Sequence, residues 1–169
     1  VNPGTPLLQV DTHAVARRVA GIPRVDQVTV KRDYPSALRI ELVERTALVV
    51  VDVDGAQHLV DDQGIDFGQG EAPEGTPLLV VGEDAGADLP AIVRDLATVF
   101  REVRGTAGQE ITEVHVETPA SIVLTLGDGR VVEWGSAGRD HEKAIVLQMV
   151  LEQPGQTWNV SNPALPTSR

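Results

Sequence analysis

Short valine-rich runs, separated by tight-turn signals, recur along most of this chain and leave few folds open to it. The 169 residues include 26 valines, and β-branched side chains pack well on the surface of a sheet. The pairs Asp54-Gly55 and Asp128-Gly129 each separate two apolar runs, which is a strong signal for a β-hairpin. The pattern therefore predicts a sheet built largely from hairpins.

Three stretches have apolar residues at helical spacing instead. The first follows Asp11 or Thr12 and ends at Gly21 and Pro23, and the second begins at Pro90. The third is predicted over residues 140–152, with Ile145, Val146, Met149 and Val150 as its buried residues. Helices that do not alternate strictly with strands are typical of α+β proteins. We predict an α+β fold in which a helix and a hairpin continue into an antiparallel sheet flanked by two helices.

The charge distribution divides the chain in two. Residues 1–45 carry seven basic and five acidic groups, net +2, whereas residues 46–169 have a net charge of -13. Such asymmetry indicates two units with different surfaces; the alternative is an acidic surface that only keeps the protein soluble. Apolar and polar residues alternate from Leu38 to about Val53, so one long strand is predicted to cross the boundary.

Composition excludes several classes of protein. The chain has no cysteine, so it contains no disulfide framework, thiolate metal site or cysteine nucleophile. No run approaches the ~18 apolar residues of a membrane span. The net charge of -11 argues against a general nucleic-acid binder, because phosphate neutralisation needs clustered Lys and Arg.

Motifs for catalysis or cofactor binding are not found in the sequence. The histidines, His13, His58, His115 and His141, do not lie at metal-ligand spacing. We therefore predict a protein that is not an enzyme and that uses no cofactor and no metal. The alternative hypothesis is an exported hydrolase or ligand-binding domain with a site assembled from scattered acids, which a pocket of convergent carboxylates would favour.

The carboxy-terminal tail is the best candidate for an interaction site. It follows the last predicted helix, and no later strand is available to cover it. Pro163 and Pro166 cannot donate ladder hydrogen bonds, which suits an edge strand and excludes a central one. An exposed edge can pair with a strand of another chain; the alternative is a frayed terminus without a partner.

A series of short motifs lies in a fixed order along the chain. They are Gly4-Thr5-Pro6-Leu7-Leu8-Gln9-Val10-Asp11, Arg32-Asp33-Tyr34-Pro35-Ser36-Ala37-Leu38-Arg39-Ile40 with Glu44-Arg45, Leu59-Val60-Asp61-Asp62-Gln63-Gly64 with Phe67, Asp128-Gly129-Arg130, and Asn159-Val160-Ser161-Asn162-Pro163. In this order they resemble the FtsQ/DivIB family of bacterial cell-division proteins. The chain departs from the family pattern at Tyr34 (usually Trp), Ala47 (usually Pro) and Asn159 (usually Asp). Richness in alanine, valine and arginine suggests an actinobacterial source.

The resemblance implies an organisation and a function. It implies a partial POTRA domain over residues 1–45 and an FtsQ-type β domain over residues 46–169, coupled by the long strand. It implies a non-enzymatic scaffold of the divisome at the septum, linking early and late cell-division proteins. The chain is then the extracytoplasmic part of a single-pass protein of the cell membrane, anchored through a segment outside this sequence.

The resemblance also implies the partners and the site. In the family, FtsB/FtsL-type coiled-coil proteins bind through the final strand, flanked by the last helix. The residues carried over by position are Ser161, Asn162, Ala164, Leu165, Pro166 and Thr167. Trp158 is predicted to anchor this strand in the core. A POTRA-type assembly chaperone shares the edge-pairing chemistry, but such proteins usually carry tandem repeats, and the sequence shows no internal repeat.

Overall fold

A computed structural model describes residues 6–85 and 88–168 of the chain, so Gly4 and Thr5 of the first motif lie outside the described residues. The fold is α+β, as predicted, and divides into two compact units, residues 1–46 and residues 47–169. The difference from the expectation lies in the sheet of the second unit, which is mixed rather than wholly antiparallel.

The amino-terminal unit is a helix followed by a hairpin. Helix α1 spans Thr12–Ala20, and strands β1 (Val25–Asp33) and β2 (Ala37–Glu44) pair antiparallel. Asp11 caps the helix, because its Oδ1 accepts hydrogen bonds from the backbone N–H groups of His13 and Ala14 at 2.9 and 3.0 Å. The bond from Ala14 contributes most to a pKa of Asp11 below its usual value. The cap explains why the helix begins where the sequence predicts it.

The predicted long strand from Leu38 to Val53 is wrong. Strand β2 ends at Glu44 and strand β3 spans Val49–Val53, and the two belong to different sheets. Their hydrogen bonds change partners between them: Arg45 donates from its backbone N–H to Arg24 O, whereas Leu48 donates to Val60 O. Alternation of side chains predicts extended backbone, but it does not say which neighbour the backbone pairs with.

The described residues of the carboxy-terminal unit form one sheet and two α-helices. Its strands after β3 are β4 (Ala56–Val60), β5 (Asp66–Gln69), β6 (Leu78–Val81), β7 (Ile111–Thr118), β8 (Ser121–Leu126), β9 (Val131–Gly135), β10 (Thr157–Asn159) and β11 (Thr167–Ser168). The helices are α2 (Leu89–Glu102) and α3 (Asp140–Val150). In the described residues the strand order is β11-β10-β9-β8-β7-β6-β3-β4-β5, which puts β11 at one edge and β5 at the other.

In the described residues, two of the three parallel strand pairs have a helix between their strands, whereas the third, β3 with β6, is joined through β4 and β5. Helix α2 connects β6 to β7, helix α3 connects β9 to β10, and both pairs are parallel. Such pairs need a crossover connection, which each helix supplies. Strand β5 was not predicted, because its four residues include Gly68, which has a φ of +110°, and glycine in a strand weakens the sequence signal.

The core lies between the sheet and the two helices. Alternate residues of β7, β8 and β9 are buried there: Val114, Val116, Ile122, Leu124, Leu126, Val132 and Trp134. Helix α2 contributes Val93, Leu96 and Val99 to the same cluster, and helix α3 contributes Ala144 and Leu147. This packing fixes the strands next to α3, at the end of the sheet that carries β10 and β11.

The turn between β4 and β5 packs directly against the start of α2. Gly64 has a φ of +79°, and a Cβ atom built on it would lie 2.3 Å from Pro90 Cα. Asp61, which is buried, accepts hydrogen bonds from the backbone N–H groups of Gln63 and Ile65 at 3.0 and 2.8 Å. The Leu59–Gly64 motif is therefore explained by packing.

We expect Gly64→Ala to lower the free energy of unfolding by about 2–5 kcal/mol. Left-handed backbone costs a residue with a Cβ roughly 1–2 kcal/mol, and the collision with Pro90 adds about 1–3 kcal/mol of overpacking. Gly75→Ala is the matched control, because Gly75 has a φ of +78° with no atom within 4 Å of its built Cβ. Urea denaturation of both variants measures the difference, and equal losses would contradict the packing role of Gly64.

Candidate functional site: the carboxy-terminal edge of the sheet

The carboxy-terminal edge consists of β10, the connection 160–166 and β11. Strand β10 pairs parallel with β9 and antiparallel with β11, with Asn159 opposite Thr167. Trp158 is only 4 % exposed and belongs to the core cluster, so the prediction that it anchors this region is confirmed. The edge is therefore fixed to the sheet at β10, immediately before the connection.

Asn159 shapes the exit from β10 with both ends of its side-chain amide. Its Nδ2 donates to Glu133 Oε2 at 2.5 Å, which ties β10 to β9. Its Oδ1 accepts from the backbone N–H of Ser161 at 3.0 Å and from Ser161 Oγ at 2.7 Å. One side chain therefore joins two strands and turns the chain into the connection.

The predicted contact strand is wrong in its extent. Ser161, Asn162, Ala164, Leu165, Pro166 and Thr167 are all exposed, but only Thr167 lies in a strand. Asn162 forms a local turn instead, because its Oδ1 accepts from the N–H of Ala164 and its backbone carbonyl accepts from the N–H of Leu165. Asn before Pro is a turn signal, and this signal outweighs the edge-strand pattern in residues 161–166.

An apolar surface adjoins the connection. Ile145 and Met149 of α3 are 40 % and 55 % exposed, and Leu165 is 71 % exposed. A groove of about 290 Å³ lies here, lined by Arg139, Glu142, Ile145, Val146, Pro163 and Ala164. We call Ile145, Met149, Leu165 and this groove the α3 surface.

The prediction that α3 buries Ile145 and Met149 is wrong. The helix instead buries Asp140, Lys143, Ala144, Leu147 and Val150. Apolar residues occupy almost every position from Ala144 to Val150, more than the stripe that one buried face requires. This excess is the sequence signal that could have identified an exposed apolar face on α3.

An ion pair stands at the rim of the groove. Arg139 Nη2 lies 2.7 Å from Glu142 Oε2, and both side chains are more than half exposed. The hydrogen bond from Arg139 holds the pKa of Glu142 below its usual value and raises the pKa of Arg139. An exposed pair of this kind contributes little to stability, so it remains available to re-pair with charges on another molecule.

The described residues give less support for a catalytic site than for an interaction surface at the carboxy-terminal edge. A second groove, of about 360 Å³, is lined by Glu74, Gly75, Arg104, Gly108, Gln109 and Glu110. Its Arg104 donates to Gly75 O at 3.1 Å, so that guanidinium already has a partner in the protein. Within residues 6–85 and 88–168 there is no cluster of three or more potential metal-ligating side chains.

Helices in the described part of the chain are too short or too polar to cross a lipid bilayer.

The histidines other than His13 each lie beside a carboxylate. His58 Nδ1 is 2.6 Å from Asp66 Oδ2, and His141 Nδ1 is 2.9 Å from Glu102 Oε2. These two pairs connect β4 with β5 and α2 with α3, which is a structural use of histidine.

Two family models match the chain. A POTRA domain of the FtsQ type matches residues 1–45, and the carboxy-terminal domain of the cell division protein FtsQ/DivIB matches residues 49–160. The second match includes β3 to β10 and α3, and ends at the first residue of the connection.

Curated relatives cover nearly the whole chain. It is 47 % identical to the cell division protein FtsQ of Mycolicibacterium smegmatis over 99 % of its length, and 45 % identical to that of Mycobacterium tuberculosis over 99 %. It is 34 % identical to the cell division protein FtsQ of Corynebacterium glutamicum over 98 % of its length. The chain spans 50 % and 52 % of the first two relatives and 75 % of the third.

We expect Asn159→Asp to weaken the edge at pH 7. The substitution places a second carboxylate where Asn159 Nδ2 lies 2.5 Å from Glu133 Oε2, and losing a hydrogen bond to a charged group costs about 1.5–3 kcal/mol. Adding Glu133→Gln should restore stability, because a Gln amide can donate to the new carboxylate. Urea denaturation at pH 7 measures both effects.

Asn162→Asp is the matched control for this prediction. Asn162 uses only its Oδ1 in the bond to Ala164, and an Asp carboxylate keeps that acceptor. A stable Asn159→Asp variant, or no recovery in the double variant, would contradict the role given to the pair.

Proposed function

Because the chain belongs to the FtsQ/DivIB family of bacterial cell-division proteins, we propose that it is a non-enzymatic scaffold of the divisome that binds other septal membrane proteins by strand addition at β11. The expected resemblance to an actinobacterial protein of this family is confirmed. The proposed partners are coiled-coil division proteins of the FtsB/FtsL type. The proposed location is the extracytoplasmic side of the cell membrane at the division septum, where the scaffold links early and late division proteins.

The observation that carries the proposal is the position of β11 at an edge of the sheet. A strand at an edge presents backbone N–H and C=O groups that a strand of another chain can pair with. Pro166 directly precedes β11 and has no N–H to donate, so the ladder is limited on the amino-terminal side of the two strand residues. Main-chain pairing of this kind supplies geometry, and the neighbouring side chains supply specificity.

The opposite edge of the sheet is less suited to strand addition. In β5 the Oδ1 of Asp66 accepts from the N–H of Gly68 at 2.8 Å, so a backbone donor is already used by a side chain. Gly68 has a φ of +110°, and the β4–β5 pairing is irregular between His58 and Val60. Irregular pairing protects an edge strand from pairing with other chains, which leaves β11 as the better edge.

The α3 surface supports the same assignment. Ile145 and Met149 lie four residues apart, so they share one face of the helix. That face adjoins the groove lined by Pro163 and Ala164 of the connection. A partner whose strand pairs with β11 can continue as an apolar segment over this surface, which removes exposed apolar area from water on binding.

A binding experiment tests the proposal. The 169-residue chain is titrated with a purified FtsB/FtsL-type extracytoplasmic pair by calorimetry. Deletion of residues 162–169 should abolish binding, and Ile145→Ser or Met149→Ser should weaken it about tenfold, since anchors at an interface typically contribute about 1–2 kcal/mol or more.

Gln148→Ser is the matched control for the α3 variants. Gln148 is an exposed polar residue of the same helix, and its replacement should leave the affinity unchanged. Circular dichroism of each variant verifies the fold. Wild-type protein that does not bind the pair, or that binds equally well after the deletion, would refute the proposal.

A further inference from the structure

Three buried polar or aromatic side chains surround the turn between β9 and α3. Trp134 is fully buried, Asp140 is 9 % exposed and Lys143 is 2 % exposed. Trp134 Nε1 donates to Asp140 Oδ1 at 2.9 Å, and the backbone N–H of Gly138 lies 3.1 Å from each oxygen of the same carboxylate. Asp140 therefore connects the core tryptophan to the turn.

Lys143 donates hydrogen bonds to backbone carbonyl groups at the same turn. Its Nζ donates to Ser136 O at 2.7 Å and to Trp134 O at 3.1 Å, and it lies 5.6 Å from the centre of the Trp134 ring. Burial lowers the pKa of Lys143, while Asp140 acts in the opposite direction. A buried ammonium group is costly unless it is hydrogen-bonded. The turn is therefore most stable when the carbonyl groups of Trp134 and Ser136 stay within hydrogen-bonding distance of Lys143.

The turn that this cluster fixes is in contact with the carboxy-terminal connection. Gly135 has a φ of +78°, and a Cβ atom built on it would lie 2.7 Å from Ser161 Cβ. Arg139, at the other end of the turn, lines the groove together with Pro163 and Ala164. Gly135, at the start of the turn, therefore lies against the start of the connection, and Arg139, at its end, lies beside the middle of the connection.

Local bonds within the connection give it a shape but do not attach it to the sheet. Ser161 donates to Asn159 and Ala164 donates to Asn162, and all of these residues belong to β10 or to the connection itself. Val160 donates to Glu133 O at 3.0 Å, which fixes the first residue of the connection. Beyond it, Ser161 lies against the β9–α3 turn, Pro163 is buried, and β11 pairs with β10.

We infer that Lys143 and Asp140 are positioning residues for the carboxy-terminal edge: they fix the β9–α3 turn, the turn fixes Ser161, and Ser161 sets the path of the chain to β11. Neither residue reaches the surface that a partner would contact. The consequence of this inference for partner binding rests on the proposed function. The order of the edge itself is a property of the free protein.

Amide hydrogen exchange of the 169-residue chain, followed residue by residue by NMR, tests this inference. Gly135→Ala adds a methyl group that collides with Ser161. Lys143→Met removes the hydrogen bonds to the carbonyl groups of Trp134 and Ser136 and keeps a long side chain. Both variants should raise the exchange rates of the amides from Ser161 to Ser168 about tenfold, as expected for local opening. Val114 of β7 and Leu124 of β8 should keep their wild-type protection.

Gly129→Ala is the matched control, at the other end of β9. Gly129 has a φ of +84°, close to that of Gly135, and no atom lies within 4 Å of its built Cβ, so this variant carries backbone strain without the contact to Ser161. Its amides from Ser161 to Ser168 should exchange at the wild-type rate. Equal loosening in Gly129→Ala would show that backbone strain, and not the contact with Ser161, sets the order of the edge.

The outcomes separate this inference from the proposed function. Unchanged exchange at residues 161–168 in Gly135→Ala and Lys143→Met would overturn the inference, and so would an equal rise in β7 and β8, which indicates a loss of overall stability alone. Should Lys143→Met fail to fold, Gly135→Ala decides the question. Wild-type protein that does not bind the FtsB/FtsL-type pair would refute the proposed function and leave the exchange result intact.

Discussion

Packing of the sheet against α2 and α3 is the interaction on which the other features of the carboxy-terminal unit depend. Trp134, which has no exposed surface, lies in this core and also donates its indole N–H to Asp140 at the start of α3. Trp158 lies in the same core at β10. Burial of such large side chains is the main stabilising contribution available to a domain of this kind, and here it also fixes the end of the sheet that carries the proposed site.

The two ends of the sheet differ in how their edges are finished. At β5 the Asp66 side chain accepts a hydrogen bond from a backbone N–H group, and Gly68 has a positive φ. At β11 the chain reaches the edge after a turn whose hydrogen bonds are accepted by Asn159 and Asn162. Ile145 of α3, which is exposed, lines a groove together with Pro163 and Ala164 of the connection that leads to β11. Strand addition and apolar burial can therefore act together at one end of the sheet, which is the physical basis of the proposed function.

Sequence reasoning found the elements whose signals are local. The Asp11 cap, the Asp128-Gly129 hairpin and Trp158 as a core anchor are each determined by a residue and its neighbours, and all three are present in the structure. The long strand from Leu38 and the burial of Ile145 and Met149 were wrong, because pairing partners and helix orientation depend on residues distant in sequence. The six carried-over site residues lie together at the edge, but the turn at Asn162 makes most of them a connection.

Direct detection of the paired strand tests the central claim. The 169-residue chain, labelled with ¹⁵N and ¹³C, is mixed with an unlabelled FtsB/FtsL-type extracytoplasmic pair, and intermolecular nuclear Overhauser effects are recorded. Strand addition at β11 predicts contacts between backbone protons of Thr167 and Ser168 and those of one partner strand, at the spacing of a β-ladder. A complex whose intermolecular contacts lie on β5 or on the amino-terminal unit, with none at β11, would contradict the account.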